Sequence, residues 1–180
     1  MSVGGQQLPA LARTAIAQHL GLNSTEPVAD PGWQQPGASF VTLTKQGNLR
    51  GCIGSLEAWR PLIDDVRANA EAAAFQDPRF PALTASELSA LRIEVSVLTA
   101  PTPLATMNHA DLLTTLRPQI DGVIVSADDG RRATFLPQVW EQLPNGDHLL
   151  QQLKMKAGLA PDADDTTLHY AIYQVEKFSE

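Results

Sequence analysis

The stretch Ser39–Gly54 reads SFVTLTKQGNLRGCIG and predicts two strands joined by a tight turn. Ser39–Thr44 is rich in β-branched and aromatic side chains, which are common in strands. Lys45–Asn48 is typical turn sequence, so we expect Leu49–Ile53 to return as the partner strand of a hairpin. A hairpin here favours an antiparallel sheet whose strands are joined by short turns.

The second strand of this hairpin carries the only cysteine of the chain, Cys52. Side chains at positions i and i+2 share a face of a strand, so regular alternation places Arg50 and Cys52 together, about 7 Å apart. A nearby guanidinium favours the thiolate, which is the reactive form of cysteine. Gly51 and Gly54 leave room for a ligand or another backbone to approach closely. The alternative is that Cys52 is a small core residue, because free cysteine is among the most buried residue types.

A second motif, Asp77–Phe80 (DPRF), follows a predicted alanine-rich helix that begins at Pro61. Pro78 blocks continuation of the helix, and Asp77 can pair with Arg79. On the structural interpretation this is only a rigid turn. On the functional one, the turn holds Arg79 so that it reaches the same cleft as Arg50 and binds an anion or a carboxylate.

Periodicity and capping residues predict the other elements. The expected helices cover 8–20, 84–91, 109–116 and 147–157, and the expected strands cover 93–97, 122–126, 131–136 and 166–178. Asp147 is expected to cap the last helix, near whose C-terminus the helix dipole alone stabilises Lys154 and Lys156. Asp64 and Asp65 are expected on the outside of the helix from Pro61. Residues 22–37 read as an irregular connector anchored by Trp33. Interleaved helices and short-turn strands predict an α+β fold, with a mostly antiparallel sheet flanked by helices.

Composition limits the classes of partner. The net charge of −7 argues against duplex nucleic acid, because phosphate binding needs clustered basic residues. A single cysteine excludes an internal disulfide and fits a reducing compartment. The start, MSVGGQQ, lacks the basic and apolar regions of a signal peptide, and no stretch approaches the roughly 20 apolar residues of a membrane span. We therefore expect a cytoplasmic protein without membrane or nucleic-acid partners.

The sequence offers no pattern for a metal or a cofactor, and we expect neither. It has no cysteine pair and no two histidines at ligand spacing, and the acidic run Asp162–Asp165 lacks the pattern of a calcium loop. No phosphate loop, dinucleotide glycine fingerprint or serine nucleophile elbow is present. The histidines are dispersed, so the sequence does not name a base for Cys52.

Five motifs occur in order along the chain: LRGCIG (49–54), AAFQDPRF (73–80), EVSVL (94–98), LPQV (136–139) and KAGL (156–159). Together they resemble the AMMECR-one domain family, and within it the prokaryotic branch called AmmeMemoRadiSam system protein A, over residues 8–178. The resemblance implies one α+β domain with a larger antiparallel-sheet lobe, a smaller lobe, and the cysteine motif near a cleft between them. It also implies two partners, a Memo-like protein related to extradiol dioxygenases and a radical-SAM protein. The segment 142–146 (QLPNG) departs from a glycine-tryptophan step of relatives, so packing or recognition near Trp140 is expected to differ.

The resemblance identifies which residues belong to the family's motifs, but it implies no particular reaction. The family's motif residues present here are Arg50, Gly51, Cys52, Gly54, Asp77, Arg79 and Phe80. Our first hypothesis is a small-molecule or modified-residue site. In it, Cys52 would be a nucleophile or redox thiol and Arg50 would stabilise the thiolate or hold an anionic substrate. Arg79, Asp77, Gly51 and Gly54 would bind the ligand.

The second hypothesis is a non-catalytic adaptor whose cleft grips a partner protein. The motif is then structural, and recognition falls to the surface around Trp140 or to the 22–37 loop. Nucleic-acid binding is the least favoured function because of the charge. Whether the protein is an enzyme, and how many copies associate, stays open at the level of sequence.

Overall fold

The computed structural model describes residues 3–180. Met1 and Ser2, on which the prediction about a signal peptide partly depends, lie outside the described residues. The chain forms two compact units. The first unit runs up to Leu98 and includes Glu176–Glu180, and the second unit is Thr99–Val175.

Four α-helices and eight strands make up the regular structure of the described residues, together with short 3-10 turns. The helices are α1 (Leu8–His19), α2 (Leu62–Phe75), α3 (His109–Thr115) and α4 (Gly146–Lys156). The strands are β1 (Ala38–Lys45), β2 (Asn48–Gly54), β3 (Leu91–Leu98), β4 (Thr102–Pro103), β5 (Gly122–Ser126), β6 (Arg132–Phe135), β7 (His169–Tyr173) and β8 (Val175–Ser179). The strand order is β2-β1-β3-β8 in one sheet and β4-β7-β5-β6 in the other. The pairings β1–β2, β1–β3, β4–β7, β5–β6 and β5–β7 are antiparallel, which confirms the α+β prediction.

The core of the first unit lies between its sheet and the helices α1 and α2. Alternate residues of β1 and β3 are fully buried in it: Val41, Leu43, Ile93 and Val95. Small residues such as Ala73 let α2 lie close to the sheet, as their sequence predicts. The loop before β1 is pinned by Trp33, which is 3% exposed, so the predicted anchor is confirmed.

The second unit has its own core, formed by its sheet and α4. Val123, Val125, Leu150 and Leu153 are fully buried, and Trp140 packs among them. The indole N–H of Trp140 donates to the Asp121 carbonyl at 2.8 Å. Trp140 is 1% exposed, so its own side chain belongs to this core, and recognition by the surface around it stays a prediction.

The predicted strand over 166–178 is wrong as a single element. The chain forms β7 and β8, which belong to different sheets. The break falls at Gln174, whose N–H donates to the Thr99 hydroxyl at 2.8 Å and whose carbonyl accepts from the Thr99 N–H at 2.9 Å. Apolar residues alternate on each side of the break, but the phase changes there: Ile172 is followed two positions later by the polar Gln174, and Tyr173 by Val175. The short alternating runs on both sides are why the sequence suggested one strand.

Two polar assignments also change. Asn145, and not Asp147, caps α4 by accepting from the His148 N–H at 3.2 Å. Asp65 is fully buried instead of facing outward. It accepts hydrogen bonds from the Ser39 N–H and hydroxyl, from Ser55, from Arg60 and from Asn69. These donors replace the water that a carboxylate otherwise needs.

Candidate functional site around Cys52

The strand that carries Cys52 is the outer strand of its sheet, and it contains a bulge. Leu43 of β1 pairs with Gly51, but the next residue, Thr44, pairs with Leu49. Arg50 is therefore an extra residue without a partner on β1. A bulge of this kind interrupts the alternation of side chains. The regular spacing that predicted Arg50 and Cys52 side by side does not hold at this position.

Arg50 is committed to a carboxylate of the same unit. It is 8% exposed, and its Nε and Nη2 donate to Glu87 at 3.0 and 3.3 Å. Nη2 also donates to the Pro81 carbonyl at 2.8 Å. The Arg50 hydrogen bond is the main reason that the pKa of Glu87 lies well below its usual range. Arg50 thus ties β2 to the segment that precedes β3, and its charge is already matched.

Cys52 itself is half-buried. Its Sγ lies 3.3 Å from the hydroxyl of Thr42, the residue directly opposite on β1. Its N–H donates to Asp77 Oδ2 at 3.0 Å, and its carbonyl accepts from Arg79 Nη2 at 3.4 Å. Asp77 and Arg79 therefore occupy the open edge of β2, where an outer strand leaves backbone groups unpaired.

Asp77 and Arg79 form the ion pair that the sequence allowed. Arg79 Nε and Nη2 donate to the two Asp77 oxygens at 3.0 and 2.7 Å. The Arg79 hydrogen bond is the largest cause that holds the pKa of Asp77 well below its usual range; the Cys52 N–H adds to it, while burial opposes both. Asp77 is 5% exposed, whereas the Arg79 side chain is 55% exposed. The guanidinium nearest to the Cys52 backbone is thus that of Arg79.

The space beside the two motif glycines is occupied by other atoms of the protein. A Cβ on Gly51 would lie 2.1 Å from the Ala73 carbonyl oxygen, so α2 approaches the strand at this point. A Cβ on Gly54 would lie 2.2 Å from the Phe40 ring. At Gly51 the close approach is that of another backbone, one of the two alternatives that the sequence left open, and at Gly54 it is that of the Phe40 ring.

The structure therefore gathers Cys52, Asp77 and Arg79 into one group, which we call the Cys52 cluster, and directs Arg50 to Glu87. Glu87 also forms a capping box, because it accepts from the Thr84 N–H at 2.9 Å. Nothing local links it to Arg50, because the two residues are separated by 37 positions. Thr42 follows from the hairpin register once the bulge is known.

Comparison with known proteins is decisive about the family. A model of the AMMECR1 family matches residues 9–178. The chain belongs to the AMMECR1 family. This is the AMMECR-one domain family that the five sequence motifs indicated.

Relatives of this AMMECR1 protein occur in archaea. A protein of Methanothermobacter thermautotrophicus is 41% identical over 183 residues, covering 98% of this chain and 94% of its own length. A protein of Sulfolobus acidocaldarius is 38% identical over 166 residues, covering 88% of this chain and 73% of its own. The crystal structure of an uncharacterised protein of Pyrococcus horikoshii superposes with a TM-score of 0.78 at 30% identity, covering 100% of this chain and 93% of that one. None of these names describes an activity.

Two further observations bear on the kind of site. Within residues 3–180, no helix is both long and apolar enough to cross a membrane. Across the same residues, no three His, Cys, Asp or Glu side chains are arranged to hold a metal ion.

Proposed function

We propose that this AMMECR1 protein binds a small anionic molecule, or a modified residue that carries an anionic group, at the Cys52 cluster. The observation that supports this is the position of Arg79. The Arg79 side chain is 55% exposed, yet the buried Asp77 fixes the direction of its guanidinium beside Cys52. Asp77 accepts hydrogen bonds from Arg79 Nε and Nη2. Among residues 3–180, no hydrogen-bond acceptor is seen for Arg79 Nη1. Arginine donors held in a fixed plane suit carboxylate and phosphate groups.

In this proposal the remaining motif residues position the cluster. Arg50 holds β2 against Glu87, and Gly51 allows α2 to pack close to β2, so that the residues following α2 reach the strand edge. Asp77, two residues beyond the end of α2, then meets the Cys52 N–H. Cys52 contributes a half-buried thiol next to the bound anion. Whether that thiol reacts depends on the ligand.

We place this activity in a cytoplasmic pathway with a Memo-like protein and a radical-SAM protein. The support is the resemblance of the five motifs to the AmmeMemoRadiSam branch of the family. The net charge of −7 supports the view that nucleic acid is not the partner.

Graded labelling of Cys52 with iodoacetamide, read by mass spectrometry, tests the proposal. The low-molecular-mass fraction of a cell extract should slow the labelling of Cys52 in the wild-type protein. In Arg79→Gln, the rate of labelling should be the same with and without the extract. Arg92→Gln is the matched control, because Arg92 is an exposed arginine on β3 of the same sheet. Equal labelling with and without extract, or equal protection of Arg79→Gln, would contradict the proposal.

A second candidate function, the adaptor, is favoured by an exposed aromatic residue next to the motif. Trp59 follows β2 and is 70% exposed, and Leu56, three positions before it, is 45% exposed. The Arg60 guanidinium lies 4.6 Å from the Trp59 ring centroid and is anchored by the buried Asp65 at 2.8 Å. Exposed tryptophan and arginine are enriched among residues that dominate protein–protein binding.

Co-purification with the Memo-like and radical-SAM proteins from the same genome separates the two functions. An adaptor predicts that Trp59→Ala loses the complex and that Cys52→Ser keeps it. The ligand-binding function predicts that Arg79→Gln abolishes ligand protection of Cys52 while Trp59→Ala does not. Retention of the complex by Trp59→Ala would refute this surface as the adaptor interface.

A further inference from the structure

The second unit contains a pocket that takes no part in the Cys52 cluster. Its volume is about 620 Å³, within the range of roughly 300–1,000 Å³ that is usual for small-molecule sites. Its lining includes polar and charged side chains of α4, of the start of α3 and of the segment before β7, together with the apolar Pro161 and Ala163.

The deepest of these groups form a buried, hydrogen-bonded network. Asp165 is 5% exposed and accepts from Lys154 Nζ at 2.8 Å, from the Tyr170 hydroxyl at 2.6 Å and from His109 Nδ1 at 2.5 Å. Lys154 is 2% exposed and also donates to the Ala163 carbonyl at 2.9 Å. Burial would raise the pKa of Asp165, but these hydrogen bonds outweigh burial and lower it. Lys154 is therefore held by a carboxylate, and not by the helix dipole alone as its sequence position suggested.

His109 joins this buried network to the open side of the pocket. Nδ1 faces Asp165, and Nε2 lies 2.7 Å from Asp147 Oδ1 on α4. The His109 side chain is 40% exposed and that of Asp147 is 52% exposed. The hydrogen bond to Asp165, with a smaller contribution from Asp147, raises the pKa of His109. In its protonated form the imidazolium satisfies both carboxylates at once.

The lining carries more negative than positive charge. Four carboxylates, those of Asp147, Asp162, Asp164 and Asp165, face two cationic groups, Lys154 and protonated His109. Among the described residues, no salt bridge joins Asp162 or Asp164 to a basic side chain, whereas Lys154 and His109 are already matched by Asp165 and Asp147. Exposed carboxylates are common on surfaces and alone indicate no ligand. Here they border a cavity in which a buried network holds the histidine in place.

We propose that this pocket binds a small organic cation, a molecule with an ammonium or guanidinium group, and that the cation competes with the His109 proton for Asp147. The ligand's cationic group takes the place of the imidazolium at Asp147. The carboxylates of Asp162 and Asp164 then add to the negative electrostatic potential that attracts the cation. This site is independent of the Cys52 cluster, because its residues all belong to the second unit.

The competition between the ligand cation and the His109 proton determines whether the affinity for the cation rises or falls with pH. His109 is faced by Asp147 and Lys154 from α4 and by Asp165 from the segment before β7, and Asp111 follows it on α3. Histidine is the side-chain type among these that changes charge near neutral pH. Below the raised pKa of His109 the imidazolium occupies Asp147, so cation binding is weak. As the pH rises through that pKa, affinity rises by at most about tenfold per pH unit, the limit for one displaced proton.

Isothermal titration calorimetry with agmatine, between pH 6 and 9, tests the proposal. Agmatine affinity should increase with pH, and glutarate, an anion of similar length, should not bind. Two variants should each lower the affinity for agmatine by about fivefold, the size expected for one partly exposed charge pair. They are Asp147→Asn and Asp162→Asn, the second at an exposed loop position. Glu141→Gln, an exposed charge change elsewhere in the second unit, is the matched control and should leave the affinity unchanged.

The NMR signals of His109 distinguish binding at this pocket from a merely structural role of the network, because a structural role predicts no change when agmatine is added. In the wild-type protein, agmatine should shift the His109 imidazole resonances and lower the apparent His109 pKa measured by NMR. His109→Gln should bind agmatine with little dependence on pH. The proposal is overturned by the absence of binding at millimolar agmatine, by equal binding of glutarate, or by equal weakening in Glu141→Gln. None of these outcomes depends on whether the Cys52 cluster binds an anion.

Discussion

Gly51 offers the sharpest test of how the cysteine motif is built. In the substitution Gly51→Ala, the new methyl group would lie 2.1 Å from the Ala73 carbonyl oxygen of α2. The contact is with backbone and not with a flexible side chain, so no rotamer change relieves it. Either β2 or α2 must move.

The size of that movement sets the expected loss of stability. Reaching the 3.0 Å below which Cβ contacts are essentially never seen needs a shift of about 1 Å, and a gap of that size forfeits up to about half of a van der Waals contact. The shift affects a packed interface, because Ala73, Ala70 and Val66 of α2 are all buried. We expect the free energy of unfolding to fall by about 3 kcal/mol, the upper part of the range for overpacked cores.

Equilibrium urea unfolding followed by circular dichroism measures this loss. Gly47→Ala is the matched control, because Gly47 has φ of +79° in the β1–β2 turn and open space around it. Its cost is conformational strain alone, about 1 kcal/mol. If Gly51→Ala were no more destabilising than Gly47→Ala, the close approach of α2 would not be the reason for glycine at this position.

Further expected outcomes concern the charged groups and the exposed aromatic. Glu87→Gln leaves the buried Arg50 without its carboxylate, so urea unfolding should show a loss of about 2 kcal/mol. The pKa values of Glu87 and Asp77 are lowered in the folded protein, so their stabilisation is present above the unfolded values and is lost as pH falls below about 4. Acid titration of the unfolding free energy should show this decline, and a flat profile down to pH 3 would refute it. Asp65→Ala should cost about 3 kcal/mol by thermal or urea unfolding, because it removes the acceptor of five hydrogen bonds, three of them with buried donors. Trp59→Ala should change stability by less than about 0.5 kcal/mol, since the side chain is 70% exposed.

Much of the fold was predictable because its signals are local. The turn KQGN between two β-rich runs placed the first hairpin, and periodicity with capping residues placed α3. The strand break at Gln174 was not predictable in the same way. At the break, Gln174 forms two hydrogen bonds with Thr99, 75 positions away, one to its hydroxyl and one from its N–H. No local sequence pattern predicts that contact.

The candidate sites were less predictable than the fold. The Asp77–Arg79 pair could be foreseen because its members are two residues apart. The partner of Arg50 could not, and neither could the bulge that separates Arg50 from Cys52 in the strand alternation. The pocket of the second unit was missed altogether, because His109 and Asp165 are 56 positions apart and neither belongs to a spacing motif.

The sequence by itself determined the α+β class, most of the helices and strands, and membership of the AMMECR1 family through five ordered motifs. These depend on side-chain periodicity, turn residues and short motifs, which act over a few residues. Only the tertiary structure decided which charge meets which: Arg50 with Glu87, Arg79 beside Cys52, His109 between two aspartates. Those pairings follow from how the helices and loops pack on the sheets. Packing joins residues that are distant in the chain, so no local pattern specifies it.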